Sequence, residues 1–152
     1  TSPYVGGGRE GVLEKTDMGG VALLRSSAKG RRITICDSND RKKVLEWLKA
    51  GEPEREEFLN NLASKAEATV SRYCAISAEY HSGGLYESIF GKKVLECIYG
   101  ENAYQNPASL FRNHKSKNYL LALHKWELVA GSPMSYNNFC DLDCRILYLR
   151  TL

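Results

Sequence analysis

The sequence has no long hydrophobic run and no large excess of charge of one sign. No apolar stretch approaches the roughly 20 residues that a transmembrane helix needs. The first residues, Thr-Ser-Pro-Tyr-Val-Gly-Gly-Gly, lack the charged and apolar regions of a secretory signal. Lys and Arg number 21 against 18 Asp and Glu, and the net charge of +3 is too small to identify a nucleic-acid-binding protein by itself. These absences indicate a soluble domain with no membrane partner.

The cysteines do not form an even set from which a disulfide framework could be built. Five are present, and most lie in apolar surroundings, as Cys36 does after Ile33-Thr34-Ile35. Free cysteine packs in such places as a small hydrophobic residue. We therefore expect a reduced, intracellular protein of the nucleus or the cytoplasm. Because the chain does not begin with Met, we also expect a fragment, a processed product or an excised domain of something longer.

Length and composition predict one compact domain. With 152 residues, of which 43% are hydrophobic, the chain is large enough to bury a core. Residues 1–11 are small and rich in glycine, so we expect a flexible N-terminal lead-in. Residues 12–152 then form a single globular domain. The expected fold class is α+β: a mostly helical domain with a small antiparallel sheet.

The predicted sheet comes from the two ends of this domain. Residues 21–25 and 31–36 alternate in character around a turn that contains Gly30, which predicts an N-terminal β-hairpin. Residues 145–150 are β-prone and apolar on both sides. We expect them to join the hairpin as a C-terminal strand.

Helices are predicted for most of the remaining chain. The residues from Asp37 to Asp40 offer N-caps for a helix that ends at Gly51. The clearest predicted helix runs from Pro53 to Tyr73, where apolar residues recur at three- and four-residue spacing. Two short helices are expected within 85–99 and helical structure from Pro107 to residue 130.

The main functional signal is a cluster of cations in the N-terminal third. Arg41, Lys42 and Lys43 lie in the first turn of a predicted helix, where the helix dipole already carries positive charge and N–H groups are free. An anion such as phosphate would offset this conflict. The residues predicted to contact phosphate in this region are Arg25, Lys29, Arg31, Arg32, Arg41, Lys42 and Lys43.

A second basic segment mixes cations with an aromatic residue, as backbone contacts combined with base stacking require. It would extend the phosphate-binding track through Arg112, Lys115, Lys117 and Tyr119. A solvated charged face is the alternative interpretation of both basic segments. Tyr119 and Trp126 also have the seven-residue spacing of core residues on one helix face.

From these patterns we predict a non-enzymatic nucleic-acid-binding domain, for RNA or DNA, with no catalytic residue, metal or cofactor. One alternative is a protein-interaction or self-assembly domain, whose apolar residues in 85–99 or 146–152 bind another protein or a second copy. The other is a small enzyme that uses His81 or the Cys140/Cys144 pair. The same two cysteines match a zinc site poorly, because the other three are scattered along the chain.

Overall fold

The computed structural model describes residues 9–113 and 122–150, with side chains for 11–113 and 122–146. The chain forms two compact units, Thr1–Ser88 and Ile89–Leu152. The single globular domain expected over 12–152 stays a prediction. Among the described residues, no helix is both long enough and apolar enough to cross a bilayer.

The first unit is helical and the second combines a hairpin with a helix. The elements of the first unit are α1 (Arg9–Lys15), α2 (Gly19–Lys29), α3 (Asp40–Lys49) and α4 (Arg55–His81). Those of the second unit are β1 (Gly91–Cys97), β2 (Ala108–Asn113), a 3₁₀ turn (Leu123–Lys125) and α5 (Tyr136–Arg150). The helices and the small antiparallel sheet confirm the predicted α+β class, although not the predicted placement of the strands.

Helix α4 provides the core of the first unit. Its buried residues are Leu59, Leu62, Ala66 and Val70. They follow one another at three- and four-residue spacing and so form one apolar stripe. Helix α2 packs against α4, and an ion pair between Arg25 Nε and Glu67 Oε2 at 3.2 Å links the two helices. The long predicted helix is thus confirmed, although it begins at Arg55 rather than Pro53 and continues to His81.

The predicted N-terminal hairpin is wrong, because its first strand is helix α2. Residues 21–25 alternate in character, but Val21, Leu24 and Ala28 also recur at helical spacing. Ala, Leu, Arg and Lys are good helix formers, and the helical stripe gains burial against α4. The second predicted strand lies in residues 32–36, which join α2 to α3 outside any helix or paired strand.

The corner between α3 and α4 is built around one aromatic pair. The ring of Trp47 stacks on that of Phe58, with centroids 4.3 Å apart and planes at 9°. Trp47 Nε1–H donates a hydrogen bond of 2.8 Å to the carbonyl oxygen of Pro53. Gly51, at φ 82°, lies in the left-handed conformation that commonly follows a helix end. The predicted end of α3 at Gly51 is confirmed.

The second unit contains the only sheet among the described residues. Strands β1 and β2 are antiparallel, with Lys93 opposite Phe111 and Leu95 opposite Leu110. The intervening Val94 has no partner, so β1 carries a β-bulge. The helices predicted within 85–99 and 107–130 are therefore wrong where β1 and β2 lie. Residues 114–121 of the second prediction lie outside the described residues.

Both ends of the expected globular domain also differ from prediction. Residues 145–150 belong to α5 and not to a C-terminal strand, because Phe139 and Ile146 are buried two helical turns apart on one face of that helix. At the other end, α1 begins at Arg9, inside the stretch expected to be a flexible lead-in. Val12 of α1 is fully buried, which ties this helix to the unit. Residues 1–8 lie outside the described residues.

Candidate functional site

A groove of about 580 Å³ lies in the first unit between α2, α4 and residues 33–36. Its walls come from three separate stretches of sequence. The lining residues are Asp17, Gly20, Val21, Leu23, Leu24, Ser27, Ile33, Thr34, Ile35, Cys36, Thr69, Val70 and Tyr73. A mostly apolar groove with a few polar groups is the usual form of a small-molecule site.

The polar end of the groove is the turn that leads into α2. The carboxylate of Asp17 accepts a 2.8 Å hydrogen bond from the N–H of Gly20. The backbone N–H of Asp17 donates a 2.8 Å hydrogen bond to the hydroxyl oxygen of Tyr73. Asp17 thereby satisfies one of the free N–H groups at the start of α2. These contacts fix the turn and hold it against α4.

The close approach of Asp17 requires a glycine at position 20. A Cβ at Gly20 would overlap Oδ2 of Asp17 and lie 3.1 Å from its Cγ, whereas a Cβ at Gly19 would meet nothing within 4 Å. Gly20→Ala is therefore expected to displace the carboxylate, and loss of the helix cap should make it about 1 kcal/mol less stable than Gly19→Ala. Gly19→Ala is the matched control and should be neutral or stabilising by about 0.5–1 kcal/mol. Urea unfolding followed by circular dichroism measures both; equal effects would contradict this role of Asp17.

Hydroxyl groups also line the groove. Thr34 is buried, and its Oγ1 lies 2.8 Å from Ser27 Oγ and 3.1 Å from the carbonyl oxygen of Arg32. Thr69 Oγ1 donates to the carbonyl oxygen of Lys65 at 2.9 Å and lies 3.6 Å from Cys36 Sγ. The lining of the groove therefore includes hydroxyl groups that already hold hydrogen bonds within the protein.

An internal ion cluster lies at the start of α3. Lys65 Nζ lies 2.8 Å from Asp37 Oδ2 and 2.6 Å from Asp40 Oδ2. Asp37 also accepts a 3.0 Å hydrogen bond from the N–H of Asn39. The hydrogen bond from Lys65 lowers the pKa of Asp37, and the bonds to Asp37 and Asp40 raise the pKa of Lys65. Two carboxylates of the chain itself therefore lie at the start of α3.

The cations predicted to contact phosphate in the N-terminal third are exposed, and three of them bond to other side chains of the protein. Arg25 pairs with Glu67, Arg31 Nη1 donates to Asn60 Oδ1 at 2.8 Å, and Lys42 lies 3.8 Å from Glu46. The remaining four residues of the N-terminal set, Lys29, Arg32, Arg41 and Lys43, have exposed side chains and line no part of the groove.

Of the second basic segment, only Arg112 is described. It lies in β2 of the second unit. Partial burial is the main cause that lowers the pKa of His124, and the positive charges of Arg112 and Lys125 lower it further. Lys115, Lys117 and Tyr119 lie outside the described residues.

The residues of the enzyme alternative lie in different units. His81 is exposed at the end of α4, and its ring meets that of Tyr80 edge-on at 5.4 Å. Cys140 and Cys144 lie one turn apart on α5, and a hydrogen bond with Cys140 raises the pKa of Tyr136. Within 9–113 and 122–150, no three His, Cys, Asp or Glu residues are placed to hold a metal.

A polar turn in the second unit is closed by its own hydrogen bonds. Gly100 N–H donates to the carbonyl oxygen of Gln105 at 2.8 Å, and Asn102 N–H donates to Gln105 Oε1 at 2.8 Å. Asn137 Nδ2 donates to the carbonyl oxygen of Glu101 at 3.0 Å, which joins this turn to the start of α5. The amide groups here hold the turn itself, so the groove of the first unit is the better candidate for a binding site.

Sequence reasoning missed the groove. Asp17-Met18-Gly19-Gly20 is recognisable in the sequence as a turn. Nothing local indicates that this turn meets Thr69 and Tyr73, which follow about 50 residues later. A site built from three segments becomes visible only when the helices have packed.

The sequence of the chain matches a family of enzymes. The model of the family described as "AICARFT/IMPCHase bienzyme" matches residues 29–151. Because the match covers most of the chain, the chain belongs to this family.

The curated relatives are bifunctional purine biosynthesis proteins named PurH. The chain is 31% identical over 155 residues to PurH of Lactococcus lactis, covering 95% of this chain and 29% of that protein. It is 32% identical over 139 residues to PurH of Clostridioides difficile, covering 86% of this chain and 26% of that protein. The chain is 31% identical over 148 residues to PurH of Leuconostoc mesenteroides, covering 91% of this chain and 28% of that protein. The chain thus spans between a quarter and a third of the length of these relatives.

Family membership overturns the main functional prediction. A non-enzymatic nucleic-acid-binding domain, with RNA or DNA as its partner, is wrong, because the matched family and its relatives are purine biosynthesis enzymes. The comparisons favour the alternative of an enzyme. They assign no role to His81 or to the Cys140/Cys144 pair, and a second copy or another protein as partner stays a prediction.

Proposed function

We propose that the chain is part of a purine biosynthesis enzyme of the PurH type and binds a purine nucleotide precursor in the groove between α2 and α4. The observation that carries this proposal is the groove itself. Its volume of about 580 Å³ falls in the range of roughly 300–1,000 Å³ that is usual for small-molecule sites.

The walls of the groove fit a flat heterocycle joined to a sugar. Val21, Leu24 and Val70 supply apolar surface for a ring. Asp17 and Thr69 offer a carboxylate and a hydroxyl to N–H and O–H groups of the ligand. In this proposal Asp17 contacts the base or the sugar and not the phosphate, since like charges repel.

The phosphate of the ligand is assigned to two of the cations predicted from the sequence. Lys29 and Arg32 lie close in sequence to the lining residues Ser27 and Ile33. Neither cation forms an ion pair with an acidic residue in the part of the chain that the structure describes. Arg31 is the weaker choice, because Asn60 already accepts its hydrogen bond.

Isothermal titration calorimetry tests the proposal. We expect inosine monophosphate to bind more tightly than inosine, inorganic phosphate or a short single-stranded RNA. Asp17→Asn keeps the acceptor for Gly20 N–H but removes the charge, and should weaken binding about tenfold or more, as loss of a charged hydrogen bond does. Lys29→Ala and Arg32→Ala should weaken binding of the monophosphate but not of inosine.

The matched control is Asp141→Asn, which makes the same change on an exposed face of α5 in the other unit. It should leave the affinity unchanged. Equal effects of Asp17→Asn and Asp141→Asn, or equal affinities for the monophosphate and the RNA, would reject the groove as a nucleotide site.

The location of the protein follows from the same proposal. An intracellular location, as predicted from the sequence, fits a protein whose relatives are purine biosynthesis proteins. Nothing in the comparisons supports the nucleus.

A further inference from the structure

Helix α5 carries two thiols and a hydroxyl group in a line along one side. Tyr136, Cys140 and Cys144 follow one another at four-residue spacing. Residues four apart on a helix are neighbours, with Cβ atoms about 5–6 Å apart. The buried residues Phe139 and Ile146 lie on a different face of α5. Cys140 is therefore only partly buried and Cys144 is exposed, so that both thiols are accessible.

The spacing of the two thiols suits a bridging metal ion better than a disulfide. A disulfide requires Cβ atoms about 3.5–4.5 Å apart, which is closer than one helical turn brings them. A bridging ion adds two metal–sulfur bonds, each about 2.3 Å long in the case of zinc, and so spans the wider gap. Both cysteines are free. The pair thus offers two thiol ligands that an intact helix keeps from bonding to each other.

The number of ligands decides which ion the pair can hold. Among the residues that the structure describes, no third His, Cys, Asp or Glu is placed to complete a larger set. Structural zinc sites almost always have four protein ligands. Monovalent copper is a soft ion that thiolates select, and two of them hold it in a nearly linear arrangement. Two thiols without a third ligand therefore favour Cu(I) over zinc.

The surroundings of the pair also favour a cation. Asp141 lies three residues before Cys144 and Asp143 three residues after Cys140, which makes each carboxylate a neighbour of one thiol on the helix surface. The hydroxyl group of Tyr136 forms a hydrogen bond with Cys140. A hydrogen bond to a metal ligand orients that ligand and raises the affinity of the site.

We propose that Cys140 and Cys144 form a binding site for one Cu(I) ion on α5. Binding forms two copper–sulfur bonds and releases the two thiol protons to solvent, and neither copper nor sulfur changes its oxidation state. The site belongs to the second unit, whereas the groove belongs to the first. The proposal therefore does not depend on nucleotide binding in the groove.

Anaerobic titration of the full, reduced chain with Cu(I) tests the proposal. The ion is supplied as a complex with a coloured chelator, whose loss of colour reports transfer of copper to the protein. We expect one tightly bound ion per chain and a thiolate-to-copper charge-transfer band in the ultraviolet. Cys140→Ser and Cys144→Ser should each weaken binding about tenfold or more, because the thiolate is the ligand.

Two controls separate this pair from thiols in general. Cys74→Ser removes an exposed cysteine of α4 and should leave the affinity unchanged. The double variant Cys144→Arg with Arg145→Cys keeps the composition of the chain but breaks the four-residue spacing, and should bind as weakly as Cys144→Ser. Circular dichroism verifies that each variant is folded.

The proposal has several ways to fail. Absence of transfer to the native chain would overturn it, as would an affinity that survives Cys140→Ser or Cys144→Ser. Equal weakening by Cys74→Ser would mean that copper binds any exposed thiol. One ion per two chains, with a doubled mass in anaerobic size-exclusion chromatography, would show that the ion joins two copies instead of one pair of thiols.

Discussion

Replacement of Trp47 by alanine is expected to lower the free energy of unfolding by about 3–5 kcal/mol, the usual cost of removing a buried tryptophan. The side chain is 6% exposed, stacks on Phe58 and donates a hydrogen bond to the carbonyl oxygen of Pro53. Alanine removes all three contributions and leaves a cavity at the corner where α3 turns into α4. Urea unfolding followed by circular dichroism measures the loss.

Two controls isolate the causes of this loss. Trp47→Phe keeps an aromatic ring against Phe58 but removes the N–H donor, and should cost about 1–2 kcal/mol. Leu48→Ala truncates the next residue of α3, which is 42% exposed, and should cost less than about 1 kcal/mol. If Trp47→Ala and Leu48→Ala were equally destabilising, the corner would not depend on the aromatic pair.

Replacement of Lys65 by methionine is expected to cost about 1–3 kcal/mol, because it leaves the buried carboxylate of Asp40 without its cation. The lower end of the range allows for solvent, since the Lys65 side chain is 42% exposed. The double variant Lys65→Met with Asp40→Asn removes the uncompensated charge and should recover part of the loss. A double variant no more stable than Lys65→Met alone would argue against this explanation.

The pH dependence of stability provides a second measurement of the same cluster. The pKa of Asp37 is lowered from 3.8, so its contribution is complete above pH 3.8 and is lost as the pH falls through the lower, folded value. The pKa of Lys65 is raised from 10.5, so its contribution is complete below pH 10.5 and is lost as the pH rises through the higher, folded value. The stability difference between the native protein and Lys65→Met should therefore shrink in both of these windows. A difference that stays constant in both windows would contradict the ion cluster.

The parts of the fold that could be predicted are those whose signals are local. The cap-forming residue types from Asp37 to Asp40 and the glycine at position 51 mark the bounds of α3 in the sequence itself. The apolar stripe of α4 is long enough to exclude a strand. In contrast, residues 21–29 satisfy both the strand and the helix periods, and only packing against α4 decides between them.

The hairpin of the second unit was not predicted, because its two strands are joined by a long connection without a recognisable turn sequence. Ten residues separate β1 from β2, and the connection is fixed in part by a hydrogen bond from Ile98 N–H to the carbonyl oxygen of Met134, far along the chain. Short hairpin loops have recognisable residue types, but a connection of this length does not. The strand-like alternation of residues 85–99 was correspondingly weak.

The functional prediction failed because a group of cations does not identify the ligand it serves. Arg41, Lys42 and Lys43 at a helix start indicated an anion, but a cation binds the phosphate of a nucleic acid and that of a small molecule through the same contacts. The groove depended on tertiary packing. The predicted nucleic-acid partner is wrong, whereas the role of these cations stays a prediction.

The bulge in β1 has a consequence for solubility. Val94 and Leu95 are 37% and 45% exposed on a two-stranded sheet, which is the kind of edge that drives aggregation of β-proteins. Lys92 and Lys93 directly precede them, and the irregular register at Val94 interrupts the row of hydrogen-bonding groups. Charge beside an apolar strand and a bulge within it both oppose the stacking of one hairpin on another. We therefore expect the irregularity of this strand to make the assembly of second units into fibrils less favourable.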